Sequence, residues 1–127
     1  MKKLTPNLMV IDVNKTIDFY KNILGFKTIM TVQEEGVFQW AMMKNGNVEV
    51  MFQSKENLSK EIPELESKEI GGSLTLYIDV PDVKTLYEKV KGKVTIVQDM
   101  HATFYGTSEF SVKDINGYIL AFAQSNQ

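Results

Sequence analysis

The stretch LTPNLMVIDV, residues Leu4–Val13, returns seventy positions later as LTLYIDVPDV, residues Leu74–Val83. The two stretches share a Leu-Thr start, a later valine and an Asp-Val close. The same offset relates two apolar pairs much later in each half of the chain: Val50 and Phe52 correspond to Leu120 and Phe122. An offset of sixty-seven, which aligns Ile11–Val13 with Ile78–Val80, fails at these later pairs. One offset shared by both ends indicates an internal repeat.

Length and composition describe an ordinary small protein. The 127 residues suffice for one compact domain, and a net charge of −2 without a basic run argues against nucleic acid as a partner. The chain has no cysteine, which excludes disulfides and thiolate sites and fits a cytoplasmic location. No apolar run approaches the roughly 18 residues that cross a bilayer, and the first ten residues do not resemble a signal peptide. We therefore expect a cytoplasmic protein without a membrane partner.

Each repeat predicts one strand, one helix and three more strands. Apolar residues at spacings of three and four predict helices at residues 15–24 and 81–91. Alternating runs predict the strands, at residues 4–13, 26–33, 37–44 and 48–53 and then at 73–80, 94–100, 107–113 and 118–123. The polar segment 54–72 is predicted to be a linker with at most a helical turn. The chain is thus one domain, 1–127, with unit one at 4–53 and unit two at 73–124.

The alternation within the strands assigns their two faces. Val50 and Phe52 belong beneath the helix, which leaves Glu49 and Met51 on the opposite face, and Tyr77 is predicted on the corresponding open face of the second unit. Each helix covers one face, so the other face needs a partner sheet or a ligand. We predict an α+β fold in which two βαβββ units form a curved mixed-sheet cup with the helices outside.

Short motifs in both units carry a family resemblance. They are Val10-x-Asp12-Val13, Thr16-Ile17-x-Phe19-Tyr20, Leu24-Gly25-Phe26, Phe104-Tyr105-Gly106, Glu109-Phe110 and Asp114-Ile115-Asn116-Gly117-Tyr118. On these residues the chain resembles the vicinal oxygen chelate superfamily, which holds glyoxalase I, extradiol dioxygenases, fosfomycin-resistance enzymes and bleomycin-resistance proteins. The resemblance covers nearly the whole chain and implies the fold, but it leaves the reaction open because one scaffold hosts several chemistries.

The resemblance also locates four metal-ligand positions. Metal-dependent members place a residue early in each first strand, usually His, and one in each last strand, usually Glu. Here these degenerate positions are Thr5, Met51, Thr75 and Ala121. None supplies the imidazole, carboxylate or thiolate that divalent transition metals prefer. We therefore expect no metal and no other cofactor, with Glu49 and His101 left either as relocated ligands or acid–base groups, or as ordinary surface residues.

The resemblance without its metal ligands favours a metal-free binding protein for a small organic or aromatic ligand, like the bleomycin-resistance proteins. The candidate ligand-binding residues are Trp40, Glu49, Met51, Tyr77, Phe104 and Tyr105. Trp40 would be a stacking wall or else a core or interface residue, and Glu49 would be a polar anchor. The alternative is a lyase, isomerase or dioxygenase with a relocated metal, and a third interpretation is a structural dimer. An apolar content of 43% favours a homodimer.

Overall fold

The computed structural model describes residues 1–127, which form two compact units, Met1–Ile70 and Gly71–Gln127. The first contains β1 (Asn7–Val10), α1 (Val13–Asn22), β2 (Lys27–Glu34), β3 (Val37–Asn45), β4 (Val48–Ser54), α2 (Lys55–Glu61) and a 3₁₀ turn (Pro63–Leu65). The second contains β5 (Thr75–Asp79), α3 (Val83–Val90), β6 (Thr95–Ala102), β7 (Thr107–Lys113) and β8 (Ile119–Ser125). The predicted α+β fold with two βαβββ units is confirmed.

The two sheets have the same strand order, and their parallel strand pairs have the same register. The first runs β1-β4-β3-β2 and the second β5-β8-β7-β6, and in each the first strand is parallel to the last. Asn7 pairs with Met51, and seventy residues later Tyr77 pairs with Ala121. A slip by one residue would turn every side chain of a strand to the other face. The offset of seventy therefore holds residue by residue in the parallel strand pair of each sheet.

An aspartate starts the long helix of each unit. Asp12 accepts a hydrogen bond from the backbone N–H of Lys15 at 2.9 Å, and Asp82 accepts one from that of Thr85 at 3.1 Å. These carboxylates satisfy N–H groups that the first helical turn leaves open. The helices consequently begin at Val13 and Val83. The sequence pattern predicts the start of α1 two residues too late, at residue 15, and the start of α3 two residues too early, at residue 81.

The predicted linker contains a helix of seven residues, α2. Its sequence, KENLSKE, is polar, and Leu58 is its buried residue. Ser54 caps it by accepting from the Asn57 N–H at 3.2 Å. The Gln53 side chain also donates to Asn57 Oδ1 at 2.7 Å and to Glu61 Oε2 at 2.9 Å. Polar contacts with the end of β4 thus fix a helix that shows no apolar periodicity in the sequence.

Aromatic side chains fill the space between each long helix and its sheet. In the first unit Tyr20 of α1 packs on Phe52 with ring centroids 4.6 Å apart. In the second unit Tyr87 of α3 meets Phe110, which packs on Phe122, at 5.2 and 5.3 Å. The buried side of β4 is therefore the one predicted from alternation. We call the other surface of each sheet the face opposite α1 and the face opposite α3.

One of the two outermost strands of each sheet, β2 in the first and β6 in the second, is irregular. The pairing of β2 with β3 shifts register between Thr28 and Met30 and again between Val32 and Gln33. The pairing of β6 with β7 shifts twice as well, between Ile96 and His101. Several apolar side chains on β2 are exposed, namely Ile29, Met30 and Val32. No helix is long and apolar enough to span a membrane.

Candidate functional site

A nearly buried carboxylate lies on the face opposite α3. Glu109 follows Ser108 on β7 and precedes Phe110, whose ring packs toward α3, so alternation turns Glu109 to the other side. Only 6% of Glu109 is exposed. Its cross-strand neighbours are Ala123 on β8 and His101 on β6. Burial of a charged residue requires partners, because an ionised carboxylate loses its hydration there.

Three hydroxyl groups supply those partners. Oε2 of Glu109 accepts from the Tyr77 hydroxyl at 2.5 Å, from Thr107 Oγ1 at 2.8 Å and from the Tyr105 hydroxyl at 3.0 Å. Hydrogen bonds to an ionised acceptor are stronger than those between neutral groups. All three end on one oxygen, so Oε1 carries none of them. We call Glu109 with Tyr77, Tyr105 and Thr107 the hydroxyl–carboxylate cluster.

Tyr77 reaches this cluster by crossing a whole strand. It lies on β5, whereas Glu109 lies on β7, and β8 runs between them. The two β8 residues beneath the path are Ala121 and Ala123, which pair with Tyr77 and with Glu109 respectively. Both are buried, at 8% and 0% exposure. Small side chains on β8 thus leave room for the phenol to lie across the sheet.

The turn between β6 and β7 delivers the other donors. Gly106 adopts a φ of 90°, a left-handed conformation that favours glycine, and it lets the chain reverse directly after Tyr105. Thr103 Oγ1 lies 2.7 Å from Thr107 Oγ1. Because the single Thr107 hydroxyl proton goes to Glu109, Thr103 must be the donor in that pair. A directed chain of hydroxyls therefore runs from Thr103 through Thr107 to Glu109.

The cluster holds the carboxylate ionised and the phenols protonated. Burial raises the pKa of Glu109 and is the largest single influence on it, but the hydroxyl donors and nearby His101 outweigh burial. The net pKa of Glu109 lies below its usual value. The hydrogen bond to Glu109, followed by burial, raises the pKa of Tyr77 to about 12. The separate hydrogen bond that Tyr105 donates to Glu109 likewise raises the pKa of Tyr105.

His101 faces this cluster from the neighbouring strand. Its Nδ1 lies 2.8 Å from the backbone carbonyl oxygen of Asp99. A carbonyl only accepts, so Nδ1 carries a proton, and Nε2 is the ring atom left without this partner. His101 is half-buried and is the direct cross-strand neighbour of Glu109. The imidazole thus lies beside an anion without making a hydrogen bond to it.

In the first unit, the face opposite α1 carries an apolar and aromatic surface. Met51, Met42 and Met30 are successive cross-strand neighbours on β4, β3 and β2. Trp40 lies two residues before Met42 on β3, where its cross-strand neighbours are Gln53 and Val32, and it is half-buried. Gln53 is buried, and its side-chain oxygen accepts from Asn7 at 2.9 Å. Thioether and indole groups therefore form a continuous surface next to a fully hydrogen-bonded amide.

Glu49 lies on the same face as Met51 and is ion-paired. Lys3 Nζ lies 2.5 Å from its Oε1, and Lys44 Nζ lies 3.6 Å from its Oε2. The hydrogen bond from Lys3 lowers the pKa of Glu49. Both oxygens of this carboxylate consequently face a cation of the protein, in contrast to Glu109.

Three of the four degenerate metal positions lie in strands, as predicted, whereas Thr5 lies outside the strand predicted to hold it. Met51 and Ala121 lie on β4 and β8, and Thr75 begins β5. Thr5 precedes β1 by two residues. No three His, Asp or Glu side chains come together closely enough to hold a metal ion. The hydroxyl, thioether and methyl groups at these positions do not suit a divalent transition metal.

One cavity of the first unit lies apart from these surfaces. It has a volume of about 330 Å³ and is bordered by Ile11, Asn14, Val37, Phe38 and Glu56 among others. None of the six residues predicted to bind a ligand lines it. A cavity of this volume can admit a small molecule, but it is formed by the starts of α1, β3 and α2 rather than by either face described above.

The predicted ligand-binding residues divide between the units. Tyr77 and Tyr105 meet at Glu109, and Phe104 contacts Tyr105 edge-on at 5.1 Å. In the first unit Trp40 and Met51 share the face opposite α1 with Glu49. Sequence reasoning missed Glu109 as a site residue. The available signal was a charged residue, Glu109, within a predicted strand. Its three hydroxyl donors come together only in the fold.

Solved structures share the fold over nearly the whole chain. A protein of unknown function from Agrobacterium tumefaciens str. C58 is 21% identical, with a TM-score of 0.79 and coverage of 98% of this chain and 94% of that one. A glyoxalase/bleomycin resistance protein/dioxygenase family enzyme from Burkholderia phytofirmans PsJN is 17% identical, with a TM-score of 0.78 and coverage of 95% and 96%. The bleomycin-binding protein from Streptomyces verticillus, complexed with copper(II)-bleomycin, is 19% identical, with a TM-score of 0.66 and coverage of 96% and 94%.

The sequence identities to these structures are low enough that they show the fold alone, whereas sequence comparison identifies the family. No curated protein sequence matches the chain. A model of one protein family, however, matches residues 4–122. That match spans both βαβββ units, including the hydroxyl–carboxylate cluster and the four degenerate metal positions. The chain therefore belongs to the Glyoxalase/Bleomycin resistance protein/Dioxygenase superfamily.

Proposed function

We propose that the protein binds a small, partly aromatic organic molecule without a metal ion. The observation that carries this proposal is the hydroxyl–carboxylate cluster beside exposed aromatic rings. Glu109 is 6% exposed, whereas Tyr77 and Tyr105, which hold it, are 52% and 56% exposed. Ligand sites commonly combine apolar walls with a few fixed polar groups. Here the fixed group is a carboxylate, and the walls are phenol rings.

The cluster is ordered before any ligand arrives. Three hydrogen bonds and the Thr103–Thr107 hydroxyl chain fix the Glu109 rotamer. Binding then requires little further ordering of the protein, and ordering a flexible side chain costs about 0.5–1.5 kcal/mol. Phe104 is 99% exposed at the adjacent turn. We assign it to the aromatic rim, where an exposed phenyl ring can cover a bound molecule.

In the first unit, we propose the face opposite α1, with Trp40 and Met51, as a ligand-contact surface of its own. Methionine adapts its shape to irregular partners, and the Met51–Met42–Met30 row offers three such side chains beside an indole. An aromatic pair contributes about 0.5–1.5 kcal/mol beyond its buried area. Glu49, by contrast, is held by Lys3 and Lys44. The proposal accordingly places the polar anchor at Glu109 and keeps Glu49 as the comparison carboxylate.

Ligand-dependent thermal unfolding tests the proposal. A panel of planar antibiotics and aromatic metabolites is screened for compounds that raise the melting temperature, since a ligand of the native state stabilises it by mass action. Hits are titrated against the fluorescence of Trp40, the single tryptophan. Tyr77→Phe is expected to weaken binding, whereas Tyr87→Phe, which removes a hydroxyl bonded to Asp99 on the other face, is expected to leave it unchanged. A panel without any stabilising compound would contradict the proposal.

The alternative is an enzyme, and the His101–Glu109 pair is the observation that favours it. An imidazole whose Nε2 makes no hydrogen bond, next to a carboxylate, has the geometry of an acid–base group. A lyase, isomerase or dioxygenase with a relocated metal would need one further ligand near this pair. Elemental analysis of purified protein separates the two functions. About one transition metal per chain, lost on His101→Ala, would favour the enzyme over the binding protein.

We also propose that the protein is a cytoplasmic homodimer. The exposed Ile29, Met30 and Val32 of β2 support a contact with a second copy. Light scattering at tens of micromolar measures the mass, and a monomer there would count against the dimer. Sequestration of an antibiotic is the biological role that a metal-free binding protein of this superfamily would serve, and it predicts increased drug tolerance of cells that express the protein.

A further inference from the structure

We propose that the ligand is a protonated organic amine whose N–H donates to Oε1 of Glu109. The inference rests on the proposed function, because it names the chemical class of ligand for the same cluster. It follows from three features of the cluster: an open acceptor atom, a buried anion without a protein cation bonded to it, and exposed aromatic rings around that anion.

The open acceptor is Oε1. Tyr77, Tyr105 and Thr107 all bond to Oε2. The single fully buried side-chain nitrogen or oxygen without a hydrogen bond is Ser59 Oγ. Oε1 of Glu109 has no hydrogen bond and is not such an atom, so it reaches the accessible surface although the residue is 94% buried. A carboxylate oxygen only accepts, and the group that completes this site must therefore be a donor.

The charge of the site favours a cationic ligand. The three donors to Glu109 are neutral hydroxyls, and no lysine or other cation makes a salt bridge to it. Glu49, on the other unit, has two lysines within 3.6 Å. Buried charges in proteins are usually paired. The one basic side chain beside Glu109 is His101, and its Nδ1 is committed to the Asp99 carbonyl. A bound ammonium group would supply the missing positive charge.

The surroundings favour an organic cation over a bare metal ion. The rings of Tyr77 and Tyr105 lie at the cluster and are half exposed, and a cation gains from lying over such a ring. Phe104 adds a further exposed ring at the same turn. A divalent metal would want several anionic or imidazole ligands, and no such group of three exists.

Three matched probes separate charge, hydrogen bonding and shape. Phenethylamine carries the ammonium N–H, phenethyl alcohol replaces it by a neutral hydroxyl, and phenethyltrimethylammonium keeps the charge without an N–H. Each is titrated into the full-length protein, with binding followed by calorimetry and by thermal unfolding. We expect the amine to bind at least about tenfold more tightly than the alcohol, and the trimethylated cation to lie between them.

Two carboxylate variants locate the effect. Glu109→Gln is expected to lower the affinity for phenethylamine by at least about tenfold and to leave the weak binding of the alcohol unchanged. Glu49→Gln is the control and is expected to change neither. If Glu109→Gln does not fold, Tyr105→Phe, which removes one donor to Oε2, is expected to change the affinity for the amine more than that for the alcohol. The comparison of probes on the unaltered protein needs no variant.

The outcomes also distinguish the two proposals. Equal affinity for amine and alcohol would overturn the amine assignment while the binding function stands. Stabilisation by Zn²⁺ alone that is lost in Glu109→Gln, without any response to the amine, would assign the open acceptor to a metal and overturn it as well. No response to any of the three probes or to the aromatic panel would overturn both proposals.

Discussion

The hydroxyl of Tyr77 donates to Oε2 of Glu109 at 2.5 Å, although the two residues lie on β5 and β7 with β8 between them. This bond joins the first strand of the second unit to its third, beyond the hydrogen-bond ladder that joins neighbouring strands. It ties the ionisation of a phenol to that of a carboxylate. Consequences for stability at both ends of the pH scale follow from it.

At alkaline pH, Tyr77 should resist ionisation. Its pKa is raised to about 12 in the fold, against about 10 in an unfolded chain. A raised pKa gives stability that is fully present below about pH 10 and is lost as the pH rises toward 12. A difference titration of phenolate absorbance between the unaltered protein and Tyr77→Phe should show one tyrosine ionising late. If the component that Tyr77→Phe loses lies near the ordinary tyrosine pKa of about 10, Tyr77 does not ionise late and the prediction is contradicted.

At acid pH, Glu109 should act in the opposite direction. Its pKa is lowered in the fold, so its contribution to stability is present above the ordinary glutamate value of about 4.3 and is lost as the pH falls through the lowered value. In Glu109→Gln, the free energy of unfolding should fall less steeply with acidification. Denaturant titrations at several pH values measure this slope. Glu69→Gln, at an exposed position, is the control for the loss of one carboxylate.

The space above β8 is predicted to be essential for the Tyr77 bond. Ala121→Leu would place a branched side chain under the phenol ring, and overpacking of this kind costs roughly 1–3 kcal/mol. The pKa of Tyr77 should then return toward about 10, as phenolate absorbance would report. Ala121→Ser, which adds one atom, should keep the bond. A late-ionising Tyr77 in the leucine variant would show that the ring takes another path.

The aspartate caps supply a fourth prediction. Asp12→Ala removes the acceptor for the Lys15 N–H and should lower the free energy of unfolding by about 1 kcal/mol. Asp12→Asn keeps a side-chain oxygen and should cost much less. Urea denaturation measures the free energy of unfolding of both variants and of the unaltered protein, and the values are compared where the m-values agree. Equal losses in the two variants would mean that the charge rather than the hydrogen bond sustains the start of α1.

The fold was predictable because its signals are local and occur twice. Alternation assigned Phe52 to the helix side and Met51 to the other, and the offset of seventy recurs in the pairing of Asn7 with Met51 and Tyr77 with Ala121. The helix α2 was less predictable. Its stability depends on Ser54 and on the Gln53 side chain, which lie outside it.

The hydroxyl–carboxylate cluster could be predicted only in part. Tyr77 and Tyr105 were identified as candidates from their strand face and from the turn. Glu109 was not, because its partners come from a different strand, from a turn and from its own strand, at separations of up to 32 residues. Convergence of this kind depends on which strands become neighbours. Periodicity along the chain contains no information about it.

The irregular outer strands bear on self-association. An edge strand with regular pairing invites another strand to extend the sheet, and fibrils grow in that way. Two register shifts in β2 and two in β6 interrupt the row of N–H and C=O groups that an incoming strand would need. Exposed Ile29 and Val32 can therefore contact another molecule through their side chains while strand-by-strand polymerisation at these two edges is obstructed.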